Sequence, residues 1–473
     1  MCARRGGCGI RRDHCRCGRR GASSGHAGGA YRPSRSWRAC RIQIIEGHGF
    51  PAVDRADAGR RSGRHACHRH SGRPQCRPDG GPDPRAWRRR AGKPPAQLAS
   101  GTDRFGSRQP VMTSPAGSHG QGTPCIGILG SGQLGRMIAI AAAQLGVRTH
   151  VYAPDAQASP AGEVATTTTT ASYDDIESLR RFAASVDAVT SEFENVPAAT
   201  MQVIGESCLA SPGAAALQAA QHRIAEKTLA AGLGIPTPRF WQVGSLQDLT
   251  LAMKALGGPA ILKTCRLGYD GKGQVRIKPD DDLATALEAV GSDDAILEEM
   301  IAFDGEISAL LARDAQGNMV HFPVSQNRHE NGILARTVAP APVIPAIEEA
   351  AQSATAALAE AVDLVGLLAV EFFIAADGRL LFNEMAPRPH NSFHWTIEGC
   401  ATSQFTQLAR VLTGLGFGDT TPYGRWQMDN LLGQHLDRVP GLLADAGNHL
   451  HLYGKPEARQ DRKMGHVSRR LGD

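Results

Sequence analysis

Residues able to do chemistry gather where two apolar runs flank a turn signal, in Leu368–Arg388 (LAVEFFIAADGRLLFNEMAPR). Asp377-Gly378 is a strong hairpin signal, because both residues tolerate the positive φ of tight turns. With those two residues as the turn, Glu371 lies directly opposite Glu384 on one face. Their Cβ atoms then come within about 5 Å, where like charges are destabilising. A divalent cation ligated by both carboxylates removes that repulsion and bridges to phosphate oxygens. The alternative, two solvated glutamates, conflicts with neighbouring Phe372, Phe373, Phe382 and Met385. Asn383 faces the other way unless the strand bulges. The proline-stiffened run Met385–Thr396 (MAPRPHNSFHWT) then presents Arg388, His390 and Asn391, an arrangement suited to an anion.

A second concentration lies upstream. Lys263 sits inside the apolar strand PAILKT, which runs into RLGYDGKG at Arg266–Gly273. Glycines let backbone N–H groups close over a polyphosphate, and a lysine adds a point charge. A plain hairpin with solvated lysines explains the loop but not a lysine within an apolar strand. Ala295–Ile301 (AILEEMI) is another apolar strand bearing acids. Such a strand between domains offers backbone groups to adenine and an acid to ribose hydroxyls. Glu298 and Glu306 fit those roles, and Glu299 reads as an exposed strand residue.

These residues need a scaffold, and the upstream pattern alternates strand and helix. Pro124–Gly130 (PCIGILG) reads as a buried strand, followed by Gly130-Ser-Gly132-Gln-Leu-Gly135 and a helix from Arg136 to about Leu145. Arg148–Tyr152 is a second strand, and Asp155 lies near the position where an acid meets ribose in dinucleotide-binding folds. Alone this unit suggests a nicotinamide dehydrogenase, although close helix–strand packing also requires such glycines. Helices at Asp174–Ala184 and after Pro197, with a strand at Ala188–Glu192, complete an open α/β domain ending near Ala220. A helix from Ala220 to Leu233 closes on Gly234-Ile-Pro236. Short strands with hairpin turns follow, an α+β pattern.

The 473 residues leave room for several domains. The net charge of +6 is uneven: residues 1–111 hold 24 Arg and 1 Lys against 7 acids, and residues 112–473 hold 27 basic against 39 acidic side chains. The first stretch is rich in Gly, Pro and Arg and cannot bury enough apolar surface to offset its ordering. A nucleic-acid-binding arm is one reading of it. A zinc site at Cys15, Cys17, Cys67 and His68 is another, but the usual ligand spacing is missing. GC-rich DNA translated upstream of a start at Met112 gives the same arginine excess. The expectation is that residues 1–121 are a disordered leader or a mis-assigned start, with no nucleic-acid partner. A chain starting at Met112 should therefore fold and stay active; an inactive product beside a working full chain would refute this. No apolar run reaches the roughly 18 residues of a membrane span, and no secretory h-region is present. Cys125, Cys208, Cys265 and Cys400 are scattered, which suits a reduced cytosol.

Five motifs in order carry a resemblance: Gly130–Met137, Glu192–Pro197 (EFENVP), Gly268–Gln274 (GYDGKGQ), Asn383–Ser392 (NEMAPRPHNS) and Arg462–His466 (RKMGH). They resemble the 5-(carboxyamino)imidazole ribonucleotide synthases, ATP-grasp enzymes of purine biosynthesis, over about residues 122–470. The resemblance implies an α/β and α+β chain: a Rossmann-like pre-ATP-grasp domain at 122–220, an ATP-grasp domain at 221–412, and a small C-terminal domain at 413–473. The tail after His466 is shorter than in many relatives, so that last domain is expected to be incomplete.

It also implies that Arg223, Lys263, the loop Leu267, Gly268, Tyr269, Asp270, Gly271, Lys272 and Gly273, the segment Glu298, Glu299, Met300 and Ile301, and Glu306, His329, Asn383 and Glu384 hold ATP. Magnesium (Mg2+) would rest on Glu371 and Glu384. The substrate, 5-aminoimidazole ribonucleotide, would meet Glu194, Asp270, Lys272, Arg388, His390, Lys455 and Arg462. Lys263, Asp270, Lys272 and Arg388 would stand at the reaction centre. By the same resemblance, ATP phosphorylates bicarbonate to carboxyphosphate, and the ribonucleotide's amine takes up the carbon beneath a closed glycine-rich lid. A cytoplasmic homodimer, without membrane attachment, is implied as well. Two departures stand out. Phe393 replaces the glycine usual in the family and is expected to crowd or reshape its loop, and Lys272 stands where arginine is common, losing the planar fork. A formate-using ATP-grasp transformylase is the nearest rival, and bicarbonate against formate separates the two.

Overall fold

Cys125–Leu129 (β1) is buried at every position, as the central strand of a parallel sheet must be. Around it the computed structural model, which describes residues 123–268 and 273–472, sets β2 (Arg148–Ala153), β3 (Thr167–Thr170), β4 (Ala188–Ser191) and β5 (Leu209–Ser211). The order is β3-β2-β1-β4-β5, all parallel. The expectations for residues 1–121 and for Tyr269, Asp270, Gly271 and Lys272 lie outside the described residues. Sequence reading passes over β3 and β5 because a threonine run and a three-residue edge strand carry no apolar alternation. Helices α1 (Gln133–Gln144), α2 (Ile176–Ala183) and α3 (Ala198–Gly205) join strands of this sheet, and α4 (Ala214–Ala220) and α5 (Arg223–Gly232) lead onward from β5. The helix expected from Ala220 to Leu233 is α5, and it begins three residues later, because the helical path breaks between α4 and α5. The break is stabilised by Gln221 Nε2 donating to the carbonyls of Glu194 (2.7 Å) and Val196 (2.6 Å).

Next, β6 (Phe240–Val243), β7 (Ala260–Thr264), β8 (Gln274–Ile277) and β9 (Ala295–Glu299) form an antiparallel sheet ordered β6-β9-β7-β8. Helices α6 (Leu246–Leu256) and α7 (Leu283–Val290) pack against it, sharing its apolar core. Their ends follow from sequence: Ser245 and Asp282 cap the first turns, and Gly257 and Gly291 end the helices at φ +69° and +67°.

The largest sheet contains β10 (Phe303–Arg313), β11 (Met319–His321), β12 (Ser325–Glu330), β13 (Ile333–Ala339), β14 (Gly366–Ala375) and β15 (Leu380–Ala386). Strands β16 (Trp426–Leu432), β17 (Asn448–Leu452) and β18 (Lys463–Arg470) continue it, in the order β15-β14-β10-β12-β13-β16-β18-β17. The C-terminal strands therefore extend an existing sheet rather than build their own, with Thr337 pairing Met428 at the junction. Helix α8 (Pro345–Ala361) covers β10 and β14; α9 (Thr396–Gly399) and α10 (Gln404–Leu412) follow. The small residues of α1 admit α10 closely, so Ile126, Ile138, Leu310, Trp395 and Phe405 share one core. Among the described residues, no helix is long and apolar enough to cross a membrane.

Candidate active site

Glu371 and Glu384 do face each other across β14 and β15, but through two irregularities rather than none. Ala375 N donates to Arg379 O at 2.9 Å, so the loop is the three residues Ala376-Asp377-Gly378, with Gly378 at φ +80°. The expected two-residue turn is corrected accordingly. That loop shifts the register by one, pairing Phe372 with Phe382, and by itself would set Glu371 against Asn383. A bulge at Asn383 absorbs the extra residue and returns Glu384 to Glu371.

The two carboxyls are unlike. Burial and the facing Glu384 push Glu371 up to about 7. Glu384, despite burial, is held below the usual range by Arg223, whose guanidinium donates to it at 3.0 Å. Among the described residues, the polar side-chain contacts of Glu371 are long ones, with Ser308 Oγ at 3.5 Å and His390 Nε2 at 3.7 Å. Opposed carboxylate oxygens without short partners on one of them are a donor set that fits a hard, oxygen-seeking cation such as magnesium.

Both glutamates line a pocket that opens to solvent. Arg223, Leu267, Gly268, His329, Glu194, Arg388 and His390, all expected at the site, line it too. Lys263 is not among the lining residues, and it donates to Glu298 at 3.0 Å. The same carboxylate takes an ion pair from Lys227 at 3.2 Å, and Lys227 is completely buried. Burial opposes the Glu298 charge, yet the two lysines hold its carboxyl at about 2. The Glu298 side chain is thus committed to positioning Lys263 and not turned to a ribose. Glu306 keeps that possibility, with His329 Nδ1 hydrogen-bonded to its carboxylate. Glu299 forms a forked pair with Arg239 (3.0 and 3.2 Å), and β9 ends there. Met300 and Ile301 follow the strand, Met300 being 41% exposed.

The anion loop is held from two sides. Arg388 Nε bonds the Glu194 carboxylate, and although burial opposes its charge, Arg388 keeps that carboxyl down at about 2. Gln404, fully buried at the start of α10, clamps the backbone of His390: its Oε1 accepts from His390 N (2.8 Å) and its Nε2 donates to His390 O (2.9 Å). Burial, then Arg388, pushes the His390 ring down to about 3, so it is neutral near pH 7. Lys455 Nζ donates to Lys463 O at 2.7 Å, and Lys463 itself lines the pocket. Arg462 is not among the lining residues; it donates to Glu457 O at 2.9 Å in an exposed bond. Phe393 is fully buried and packs edge-on to Phe322 at 6.3 Å. Sequence reasoning missed Glu226, Lys227 and Lys463; only Lys463, within a quoted motif, carried a signal.

The first glycine turn has a different fate. Glu192, 8% exposed, directs its carboxylate into that turn and accepts from Gly132 N and, at 2.7 Å, from Gly135 N. A dinucleotide pyrophosphate would need those donors. The turn is filled from within, which removes the basis for a dehydrogenase. Glu192→Ala should orphan both N–H groups and cost about 1–3 kcal/mol, read from urea melts.

Two sheets closing on a lysine and a pair of opposed carboxylates are the layout of an ATP-grasp ligase, and the ATP-grasp domain family matches residues 228–405. The ribonucleotide synthetase preATP-grasp domain matches 124–221, and the phosphoribosylaminoimidazole carboxylase C-terminal domain matches 427–470. The N5-carboxyaminoimidazole ribonucleotide synthase of Brucella melitensis is 45% identical over 346 residues, 73% of this chain and 95% of that protein. The Bacillus subtilis enzyme of the same name is 40% identical across 72% of this chain and 90% of its own length. Among solved structures, an N5-carboxyaminoimidazole ribonucleotide synthetase bound to ADP superposes with a TM-score of 0.70 at 39% identity, covering 73% of this chain and 92% of that one. The Aspergillus clavatus synthase, in complex with ADP and 5-aminoimidazole ribonucleotide, gives 0.69 at 28% identity, covering 74% and 94%. The chain belongs to the N5-carboxyaminoimidazole ribonucleotide synthase family.

Proposed function

We propose that this chain joins bicarbonate to 5-aminoimidazole ribonucleotide at the expense of ATP, releasing ADP and phosphate, as a step in purine biosynthesis. The observation that carries it is the adjacency, in one pocket, of the opposed Glu371 and Glu384 to the anion loop of Arg388 and His390. A phosphoryl donor at the first and a phosphorylated amine at the second have their reacting ends close together.

The chemistry follows from charge. Bicarbonate oxygen attacks the γ-phosphorus of ATP, ADP leaves, and carboxyphosphate forms. The exocyclic amine of the ribonucleotide then takes the carbon, directly or as carbon dioxide, and phosphate and a proton depart. Lys263, aimed by Glu298, and Arg223 offset charge on the phosphates. Magnesium, when bound by Glu371 and Glu384, supplies the divalent charge that phosphoryl transfer needs. Arg388, His390 and Glu194 hold the ribonucleotide in this reading, and Asp270 and Lys272 complete its site from the glycine-rich loop. Domains bounded near 220 and 412, and a cytoplasmic homodimer, go with the same reading.

An assay for phosphate release with bicarbonate, formate or neither tests it. Release should require bicarbonate and the ribonucleotide together; release with formate would transfer the chain to another ATP-grasp activity.

A further inference from the structure

His222, Cys265 and Asp294 take no part in the chemistry above, yet three separate segments bring them together. They lie just before α5, just after β7 and just before β9. A ring nitrogen, the sulfur and a carboxylate oxygen all fall within 4.8 Å of one another. His222 Nε2 is 3.2 Å from Asp294 Oδ2. Backbone bonds fasten the three segments at these positions: Arg223 N donates to Cys265 O at 3.0 Å, and Cys265 N donates to Asp294 O at 2.9 Å. His222 also occupies the N-cap of α5 without capping it, and its Nδ1 is buried with no partner. Helix capping therefore does not explain this histidine.

We propose that His222, Cys265 and Asp294 form a three-ligand site for a borderline-soft divalent metal ion of the zinc class, separate from Glu371 and Glu384. A tetrahedral ion bound at about 2.0–2.3 Å holds neighbouring ligand atoms roughly 3.3–3.6 Å apart. The His222–Asp294 pair is already close to that spacing, and the sulfur needs to move by about 1.5 Å at most. Thiolate, carboxylate and neutral imidazole balance the ion's charge, with the thiol proton released to solvent. Sulfur and imidazole select zinc, cobalt or cadmium against magnesium, which prefers oxygen alone. Asp294 is 39% exposed, giving entry from solvent, and a fourth position remains for water. Cys265 lines the nucleotide pocket and stands at the head of the loop that Gly273 closes. A bound ion pins that loop's root to α5, one residue from Arg223, and so slows turnover without competing with magnesium.

Cobalt(II), a spectroscopic substitute for zinc, titrated into the full chain with excess magnesium present, tests this. The other ten cysteines are shared by the wild type and Cys265→Ser, so the difference spectrum isolates this sulfur. A thiolate-to-cobalt charge-transfer band should appear in that difference. In His222→Gln the affinity behind it should fall by more than the roughly 10–100-fold that loss of an outer-shell partner costs. Asp294→Asn replaces His222→Gln should the latter melt early. Identical spectra for the wild type and Cys265→Ser would overturn the site, as would a band whose affinity survives removal of the histidine or the aspartate.

Discussion

Glu371→Gln should lower turnover by about 100-fold or more while the metal-free protein melts at an unchanged or slightly higher temperature. The substitution keeps shape, removes one of two opposed negative charges, and leaves a poorer cation ligand. Relief of a like-charge pair contributes about 1 kcal/mol at most, and less here because Glu371 is already partly protonated near neutrality. Glu384→Gln should lose turnover equally but melt earlier. Arg223, 17% exposed, donates to Glu384 and would lose a charged partner, at a cost of about 1–3 kcal/mol. The two variants thus divide on stability while agreeing on activity. A merely structural Glu371 predicts the opposite, lower stability with activity falling only as folded protein is lost. Melts of the metal-free proteins beside ADP release across a magnesium titration separate these outcomes, and full activity in Glu371→Gln at ordinary magnesium would sink the cation assignment.

Arg388→Ala should raise the KM for the ribonucleotide by roughly tenfold or more and leave the affinity for ATP nearly unchanged, because a charged hydrogen-bonding partner is lost at the substrate end alone. The same variant should alter acid stability. The Glu194 carboxyl, held at about 2 in the folded chain, lies below its ordinary value of 4.5. A depressed carboxyl contributes stability that is fully present above the unfolded value and is lost as pH falls through the folded one. Wild-type stability should therefore decline between about pH 4.5 and 2 with a component that Arg388→Ala lacks. Equal loss of ATP affinity would move Arg388 to the nucleotide. Arg462→Ala, at a half-buried position that is not among the pocket-lining residues, should disturb substrate binding less than Arg388→Ala does.

Much of this was legible in the chain because local rules dominate there. β1 is a continuous apolar run, and β7 and β9 are apolar runs interrupted by Lys263, Glu298 and Glu299; α6 and α7 went unread, although Ser245, Gly257, Asp282 and Gly291 mark their ends. The opposed glutamates were legible for a partly wrong reason. A three-residue loop and a bulge at Asn383 offset each other, and neither has a sequence signature apart from Gly378. What stayed hidden is long-range polar pairing. No periodicity reveals that Glu192 fills a turn 57 residues away, or that Glu298 serves two lysines. Lys227 reads as a solvated helix residue, and only the packing of α5 against β15 buries it. Arg462 is the converse: its motif marks it, and it is not among the described residues that line the pocket.

The central claim is that phosphoryl transfer from ATP is coupled to carboxylation of an amine. Its most direct measurement follows isotopically labelled bicarbonate and ADP together in one reaction containing ATP, magnesium and 5-aminoimidazole ribonucleotide. One labelled carbon should enter the ribonucleotide for each ADP formed, and neither should accumulate when bicarbonate or ribonucleotide is withheld. ADP formed at full rate with formate in place of bicarbonate, or with no label in the ribonucleotide, would contradict the account.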